Sequence, residues 1–314
     1  MKKSTPTKTL LKPKILVILG PTATGKSDLA VKMAKRFRGE VISADSRQVY
    51  KGLDIGTGKI TQAEMQGVHH WLIDVVSPKK TFTVTEWNKI ADDKIAAILK
   101  RRKLPIICGG TGFYIQSIVE ELSLPEVPPN ETLRKKLEGK SAVEFSAMLK
   151  KLDPERLKNI DTKNPVRLIR AIEIATALGK VPKIRRQDSP YDILQIGLLP
   201  DSATLKKRIH ARLLARIKKG MIAEAQKLHD RGLSYARMRE LGLEYRYVAD
   251  FLEKKLTKEE LIEKLDTEIR RYAKRQMTWF KRDKSIRWFK PDETRKIVGE
   301  IRRFLATFDA KRAA

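Results

Sequence analysis

Cysteine is almost absent, and Cys108 is the only one. That excludes a disulfide within the chain, and its place in the apolar run 104–108 marks it as a packed small hydrophobe rather than a reactive thiol. Long apolar runs are missing too, since none approaches the roughly 18 residues of a membrane span. Internal repeats, heptad arrays and low-complexity tracts are also lacking, which sets aside solenoids and coiled coils. The first residues are basic and free of acids, yet they hold no apolar segment for a secretory signal and are short for an organellar one. We therefore expect a soluble, cytoplasmic protein with a basic flexible tail over residues 1–13, and a monomer as the default state.

Acid is the other shortage. Against 67 Lys and Arg stand 38 Asp and Glu, a formal net charge of +29. Lysine and arginine that neutralise phosphates release counterions, so a chain this basic gains affinity for a polyanion without reading any sequence. A lysine-biased genome accounts for part of the excess but less well for the clustered arginines. The densest cluster is Arg270, Arg271, Lys274, Arg275, Lys281, Arg282, Lys284 and Arg287, opposed only by Asp283.

What is present reads as an α/β protein with enough apolar residues, 41%, for a buried core. The run 15–19 predicts a strand, followed by a glycine loop and an amphipathic helix over 26–37. Runs 41–44 and 72–76 predict further strands, a helix opens at Thr85 and continues to about Arg102, and 104–108 predicts another strand before Gly109-Gly110-Thr111-Gly112. This alternation implies a P-loop NTPase-like parallel sheet flanked by helices. A proline cluster at 124–130 breaks the rhythm, periodic stretches to about Leu178 are all helical, and 193–199 returns to the sheet. We expect a catalytic core of residues 14–124 and 191–314, with an all-helical insertion at 125–190. Asp201 is placed to cap a long helix carrying Leu205, Ile209, Leu213 and Ile217.

Gly20-Pro21-Thr22-Ala23-Thr24-Gly25-Lys26-Ser27 fits G-x-x-x-x-G-K-[ST] at every fixed position, between a strand and a helix. Backbone amides of such a loop converge on an anion, Lys26 adds a charge, and the Ser27 hydroxyl is placed to ligate Mg²⁺. The motif does not say which phosphate is bound. An ATPase or GTPase needs a second metal-holding acid after an apolar strand, and here the run 106–108 ends in Gly109-Gly110. Asp45 and Asp74 are the remaining strand-end acids. Asp45, at the edge where open α/β sheets assemble their sites, reads equally as a general base, a metal partner or a helix cap. Thr111 is either a site hydroxyl or a turn residue. His69 and His70 lack ligand-spaced partners and are set aside as a metal site. In the insertion, Asn164-Pro165 starts a helix that places Arg167 and Arg170 on one face, either for a nucleic acid backbone or as a solvated surface.

Three segments carry a family resemblance: the P-loop, the stretch from Ser43 through Asp45 to Thr57, and Gly109-Gly110-Thr111-Gly112-Phe113-Tyr114. With Val68-His69-His70-Trp71-Leu72-Ile73-Asp74, the helix start at Asn164 and Tyr272-Ala273-Lys274-Arg275-Gln276-Met277-Thr278-Trp279-Phe280, they resemble the tRNA dimethylallyltransferases over residues 14–289. The resemblance implies transfer of a dimethylallyl group from dimethylallyl diphosphate to N6 of adenosine 37 in the tRNA anticodon stem-loop, with Mg²⁺. It implies Asp45 as base or hydrogen-bond acceptor for the adenine amine, with Thr111 lining the same site. Ser46, Arg47 and Gln48 would contact the target nucleotide, Val166, Arg167, Leu168, Ile169 and Arg170 the anticodon loop, and Arg212 the leaving diphosphate. Leu243 departs from the family, many of whose members carry tyrosine there, and no Cys₂His₂ array follows Phe289, as in bacterial-type members. Two other readings stay open: a prenyltransferase acting on free AMP, ADP or ATP, and a small-molecule kinase using the same loop for ATP.

Overall fold

A computed structural model describes residues 12–313 of the chain. All but Lys12 and Pro13 of the expected basic tail lies outside the described residues. Lys12 Nζ donates to the Ser189 carbonyl, and the Pro13 carbonyl accepts from the Asp192 amide.

Six strands form one sheet: β1 (Lys14–Leu19), β2 (Gly39–Ala44), β3 (His70–Trp71), β4 (Leu104–Gly109), β5 (Asp192–Leu198) and β6 (Arg287–Phe289). Their order is β3-β2-β4-β1-β5-β6, and every pairing is parallel. A parallel sheet is covered on both faces, and β1 and β4 are accordingly buried at every residue. Alternation divides β1 between two cores: Ile15, Val17 and Leu19 face one, Leu16 and Ile18 the other. The expected P-loop-like α/β sheet is the observed one.

Helices α1 (Lys26–Phe37), α2 (Gln62–Met65), α3 (Val84–Lys100) and α4 (Gly112–Val119) connect the first four strands or follow β4. Helix α3 begins at Val84 rather than Thr85, because Thr83 and Glu86 form a reciprocal capping box. The expected strand over 72–76 is corrected. Only His70 and Trp71 pair with β2, since Leu72 (φ 63°) and Asp74 (φ 56°) turn the chain away in left-handed conformations. Lys59 Nζ, clasped between Asp54 and Asp74, holds that turn, and Val76 rejoins through one parallel bridge to Tyr50.

The chain divides into two compact units, one holding the sheet, the other Glu121–Asp188. The second contains α5 (Glu131–Leu137), α6 (Ala142–Leu152), α7 (Pro154–Lys158) and α8 (Pro165–Leu178). Side chains of Asn130, Ser141, Asp153 and Asn164 cap the four N-termini. Leu137, Phe145, Leu149, Leu168, Ala171, Ile172 and Ala175 form this unit's own core. After β5 the sheet unit continues with α9 (Ser202–Lys218), α10 (Met221–Asp230), α11 (Tyr235–Leu241), α12 (Leu243–Leu252), α13 (Lys258–Phe280) and, beyond β6, α14 (Thr294–Ala313). Asp201 caps α9 by accepting from the Thr204 amide. No described helix is long and apolar enough to cross a membrane.

Candidate active site

The loop between β1 and α1 lies at the carboxyl end of the central strand, where open α/β sheets bind ligands. Gly25 turns it in a left-handed conformation (φ 89°) and caps α1 without any side-chain bond to the first-turn amides. Those amides are thus free for an anion. Thr24 Oγ1 and Lys26 Nζ both donate to the Pro21 carbonyl, at 3.0 and 2.6 Å, which curls the loop. Burial pushes the Lys26 ammonium down to about 8; the neighbouring charge of Arg212 pushes the same way, and the carboxylate of Asp45 opposes it.

Asp45 follows β2 directly. Its Oδ1 accepts from the amides of Arg47 (2.8 Å) and Gln48 (3.3 Å), so it caps a turn rather than an α-helix. Thr111, the first residue before α4, braces the same turn: its Oγ1 accepts from the Ser46 amide at 2.9 Å, and its amide donates to the Ala44 carbonyl. Thr111 thus has the turn role its local sequence suggested, Asp45 closes a turn where its local sequence suggested a helix cap, and Asp45 also lines a cavity with Lys26 and Ser27. Asp74, the other strand-end acid, is committed to Lys59. His70 Nδ1 meets the Val68 carbonyl, and the His69 ring lies against Trp71.

Two cavities share Lys26, Ser27 and Arg212 as a common wall. The larger, about 550 Å³, is bounded also by Lys32, Gly58, Glu64, Arg208 and Pro291. The smaller, about 90 Å³, is lined by Thr22, Asp45, Arg47, Gln48, Thr57, Tyr272 and Gln276 among others. Arg212 reaches this wall from α9, its Nη2 donating to the Gly58 carbonyl at 3.0 Å. Its pKa is lowered by burial and by the charge of Arg216. The site thus gathers cations whose mutual repulsion an arriving anion relieves.

Gln276 has no role in the motif reading, yet it joins the two halves of the site. From α13 its Oε1 accepts from the Thr22 amide (2.9 Å) and its Nε2 donates to the Gly110 carbonyl (2.8 Å). A side chain on Gly110 would come within 2.2 Å of Gln276 Nε2, so the glycine makes room for the clamp. Only the family-like segment 272–280 signals Gln276 and Tyr272 in the sequence, because the sites they reach lie far away along the chain.

The expected tRNA residues of the helical unit separate. Val166 and Arg167 are exposed on the first turn of α8. Leu168 is fully buried in the core of its unit, which corrects its assignment as a contact residue. Arg170 is committed internally, to buried Glu173 at 3.1 Å and to the Val127 carbonyl at 2.6 Å; Ile169 is half-buried. Ser46, Arg47 and Gln48 are half-buried, with Ser46 held by Thr111.

The family model described as IPP transferase matches residues 48–283. The tRNA dimethylallyltransferase of Anoxybacillus flavithermus is 40% identical over 280 residues, 88% of this chain and 90% of that protein. That of Halalkalibacterium halodurans is 39% identical over 310 residues, covering 94% and 98%. Among solved structures, the full-length tRNA isopentenylpyrophosphate transferase of Bacillus halodurans superposes with a TM-score of 0.73 at 35% identity, over 96% of this chain and all of that one. A eukaryotic dimethylallyltransferase acting on tRNA shares the fold, with a TM-score of 0.72 at 24% identity over 89% of this chain and 74% of that one. The family model covers more than half of the chain and the relatives align over most of it, and the chain belongs to the IPP transferase family.

Proposed function

We propose that this chain, as a cytoplasmic monomer, transfers the dimethylallyl group of dimethylallyl diphosphate to N6 of adenosine 37 in the anticodon stem-loop of tRNA. One observation carries the reading: a single small cavity is lined by the P-loop residues Lys26 and Ser27, by Arg212, and by Asp45. A diphosphate seated on the loop then lies beside a group able to take a proton from the attacking amine.

In the reaction, the bond between the allylic carbon and the diphosphate oxygen breaks and its electron pair leaves with the diphosphate. Lys26, Arg212 and the first amides of α1 stabilise that charge. N6 forms the new bond to carbon, and its proton passes to Asp45 Oδ2, since Oδ1 is held by the amides of Arg47 and Gln48. Thr111 and Gln276 position these groups. The adenine must first leave its stack, at lower cost in a loop than in a duplex.

Magnesium fits the donors present. Ser27 lines the cavity beside Lys26 and Arg212, and no cluster of three or more His, Cys, Asp or Glu forms a protein cage among the described residues. Such a sparse set suits an ion held chiefly by substrate phosphates and water. When bound, it would neutralise part of the charge on the leaving diphosphate.

The basic charge and the exposed first turn of α8 support tRNA over free AMP as acceptor. The test incubates the chain with labelled dimethylallyl diphosphate, Mg²⁺ and either unmodified tRNA bearing adenosine 37 or AMP. We expect label on tRNA; label on AMP alone would sink the proposal.

A further inference from the structure

The segment 54–58 borders the site without belonging to any strand or helix. A carboxylate from a distant helix holds it. Glu224 on α10 accepts at Oε2 from the amides of Asp54 (3.0 Å) and Ile55 (2.7 Å) and at Oε1 from the amide of Gly56 (2.9 Å). Three successive amides aimed at one anion form a nest of the kind that elsewhere cradles phosphate. Here the chain fills the nest with its own side chain. Tyr245, buried on α12, completes the arrangement by donating its hydroxyl to Glu224 Oε1 at 2.6 Å. A methyl group on Gly56 would come within 2.7 Å of the Tyr245 ring, so the segment is pressed against its anchor.

The other side of the same segment meets the reaction site. The Gly58 carbonyl accepts from Arg212 Nη2 at 3.0 Å and from Gln48 Nε2 at 3.4 Å. The Gly56 carbonyl accepts from Arg216 Nη1 at 2.7 Å, and Thr57 lines the cavity beside Asp45. A long arginine side chain in a cavity rich in cations has many alternative rotamers, and a fixed carbonyl selects one of them. Nothing else in the segment supplies a charge to fix it there, because Asp54 is committed to Lys59.

We propose that Glu224 is a positioning residue: by locking 54–58 through three amides, it sets the Gly58 carbonyl that aims Arg212 at the diphosphate and Gln48 at the acceptor. The inference rests on the reading of Arg212 given above. Glu224 touches no reacting atom and acts only through the segment. Its charge matters because every group facing it is a donor. An amide side chain offers only one acceptor oxygen to the four donors and turns an N–H toward the rest.

A double-mutant cycle tests it, with inorganic pyrophosphate as the binding probe and turnover of tRNA as a second readout. Glu224→Gln is expected to weaken pyrophosphate about 10-fold and Arg212→Ala about 100-fold, on the scale of losing one preorganised donor. The double variant is expected to match Arg212→Ala alone, since Glu224 has nothing left to aim. A merely structural Glu224 would lower thermal stability without regard to Arg212. If the two effects multiply, or if Glu224→Gln binds pyrophosphate as the wild type does, the inference is overturned. Should Glu224→Gln lose its fold by circular dichroism, Glu224→Asp, which keeps the charge and retracts it by one methylene, takes its place in the cycle. A wild type that shows the coupling but prenylates no tRNA would overturn the proposed function and leave this inference standing.

Discussion

Asp45 carries two jobs on one carboxylate. Its Oδ1 closes the turn after β2, while the proposed chemistry uses Oδ2. The two separate by substitution. Asp45→Asn keeps an oxygen for the Arg47 and Gln48 amides, so its melting temperature should stay near that of the wild type while kcat falls roughly 10²–10⁴-fold, as for a lost general base. Asp45→Ala should lose both. Near-normal turnover in Asp45→Asn, measured with saturating donor and tRNA, would reduce Asp45 to its turn.

Lys26 gives a pH dependence of definite sign. Its ammonium is held down to about 8, chiefly by burial. Below that pH it is charged before the donor arrives; above it, binding a diphosphate must also take up a proton. The value of kcat/KM for the donor should therefore be level below pH 8 and fall about tenfold per unit above it, because kcat/KM reports the free enzyme. The limb should vanish in Lys26→Ala, whose overall rate is lower throughout. An unchanged alkaline limb in that variant would assign it to another group.

Local spacing put Lys26 and Ser27 on the loop between a strand and a helix and Asp45 at a strand end, while the role proposed for Asp45 came from the family resemblance. Gln276 and Glu224 were not legible in role. Gln276 meets Thr22 across 254 positions, and Glu224 meets Ile55 across 169. No period or local motif encodes such a meeting.

Among elements, α8 shows where residue-type reasoning stops. Helical spacing put Arg167 and Arg170 on one face, but it does not reveal which of them a buried acid already holds. Glu173 is 2% exposed and accepts from Arg134, Arg170 and the Asn130 amide. Burial raises its pKa, yet these donors outweigh it and leave the group below its ordinary value. A depressed carboxylate contributes stability that is present above its unfolded pKa and lost as pH falls through the folded one. Acid should therefore destabilise this unit. Glu173→Gln should cost about 1–3 kcal/mol in denaturant unfolding at neutral pH and flatten the acid limb. Arg167→Ala should instead weaken tRNA binding with no change in unfolding, whereas Arg170→Ala should act mainly on unfolding.

The strand expected over 72–76 failed for a similar reason. Its composition suits a strand, but Lys59 draws Asp74 aside and two left-handed residues end the pairing after Trp71. Tertiary contact overrode local propensity. In contrast, β1, β2, β4 and β5 were legible because strands buried on both faces read as continuous apolar runs.

For the whole molecule, the net charge of +29 becomes a binding surface only where cations lack acidic partners. At the α13 end, Arg270 pairs with Asp266, Arg271 with Glu268 and Arg287 with Glu300. Lys274, Arg275, Lys281, Arg282 and Lys284 are exposed, and no ion pair joins them to the described acids. Arg275 and Arg282 also lie against the rings of Tyr272 and Trp279. The KM for tRNA should thus rise steeply with salt, with a logarithmic slope near the number of phosphates neutralised. Lys281→Ala combined with Lys284→Ala should reduce that slope by about 1–2. A slope unchanged by the double variant would place tRNA elsewhere.

The central claim is that the P-loop serves a leaving diphosphate and not a transferred phosphoryl group. Phosphorus NMR of the reaction tests it most directly, run with dimethylallyl diphosphate, tRNA and Mg²⁺, and separately with ATP in place of the donor. The account predicts one inorganic pyrophosphate released for each adenosine prenylated, a strong loss in Lys26→Ala, and no ADP or orthophosphate from ATP. Turnover of ATP to ADP, with no pyrophosphate appearing from the prenyl donor, would contradict it.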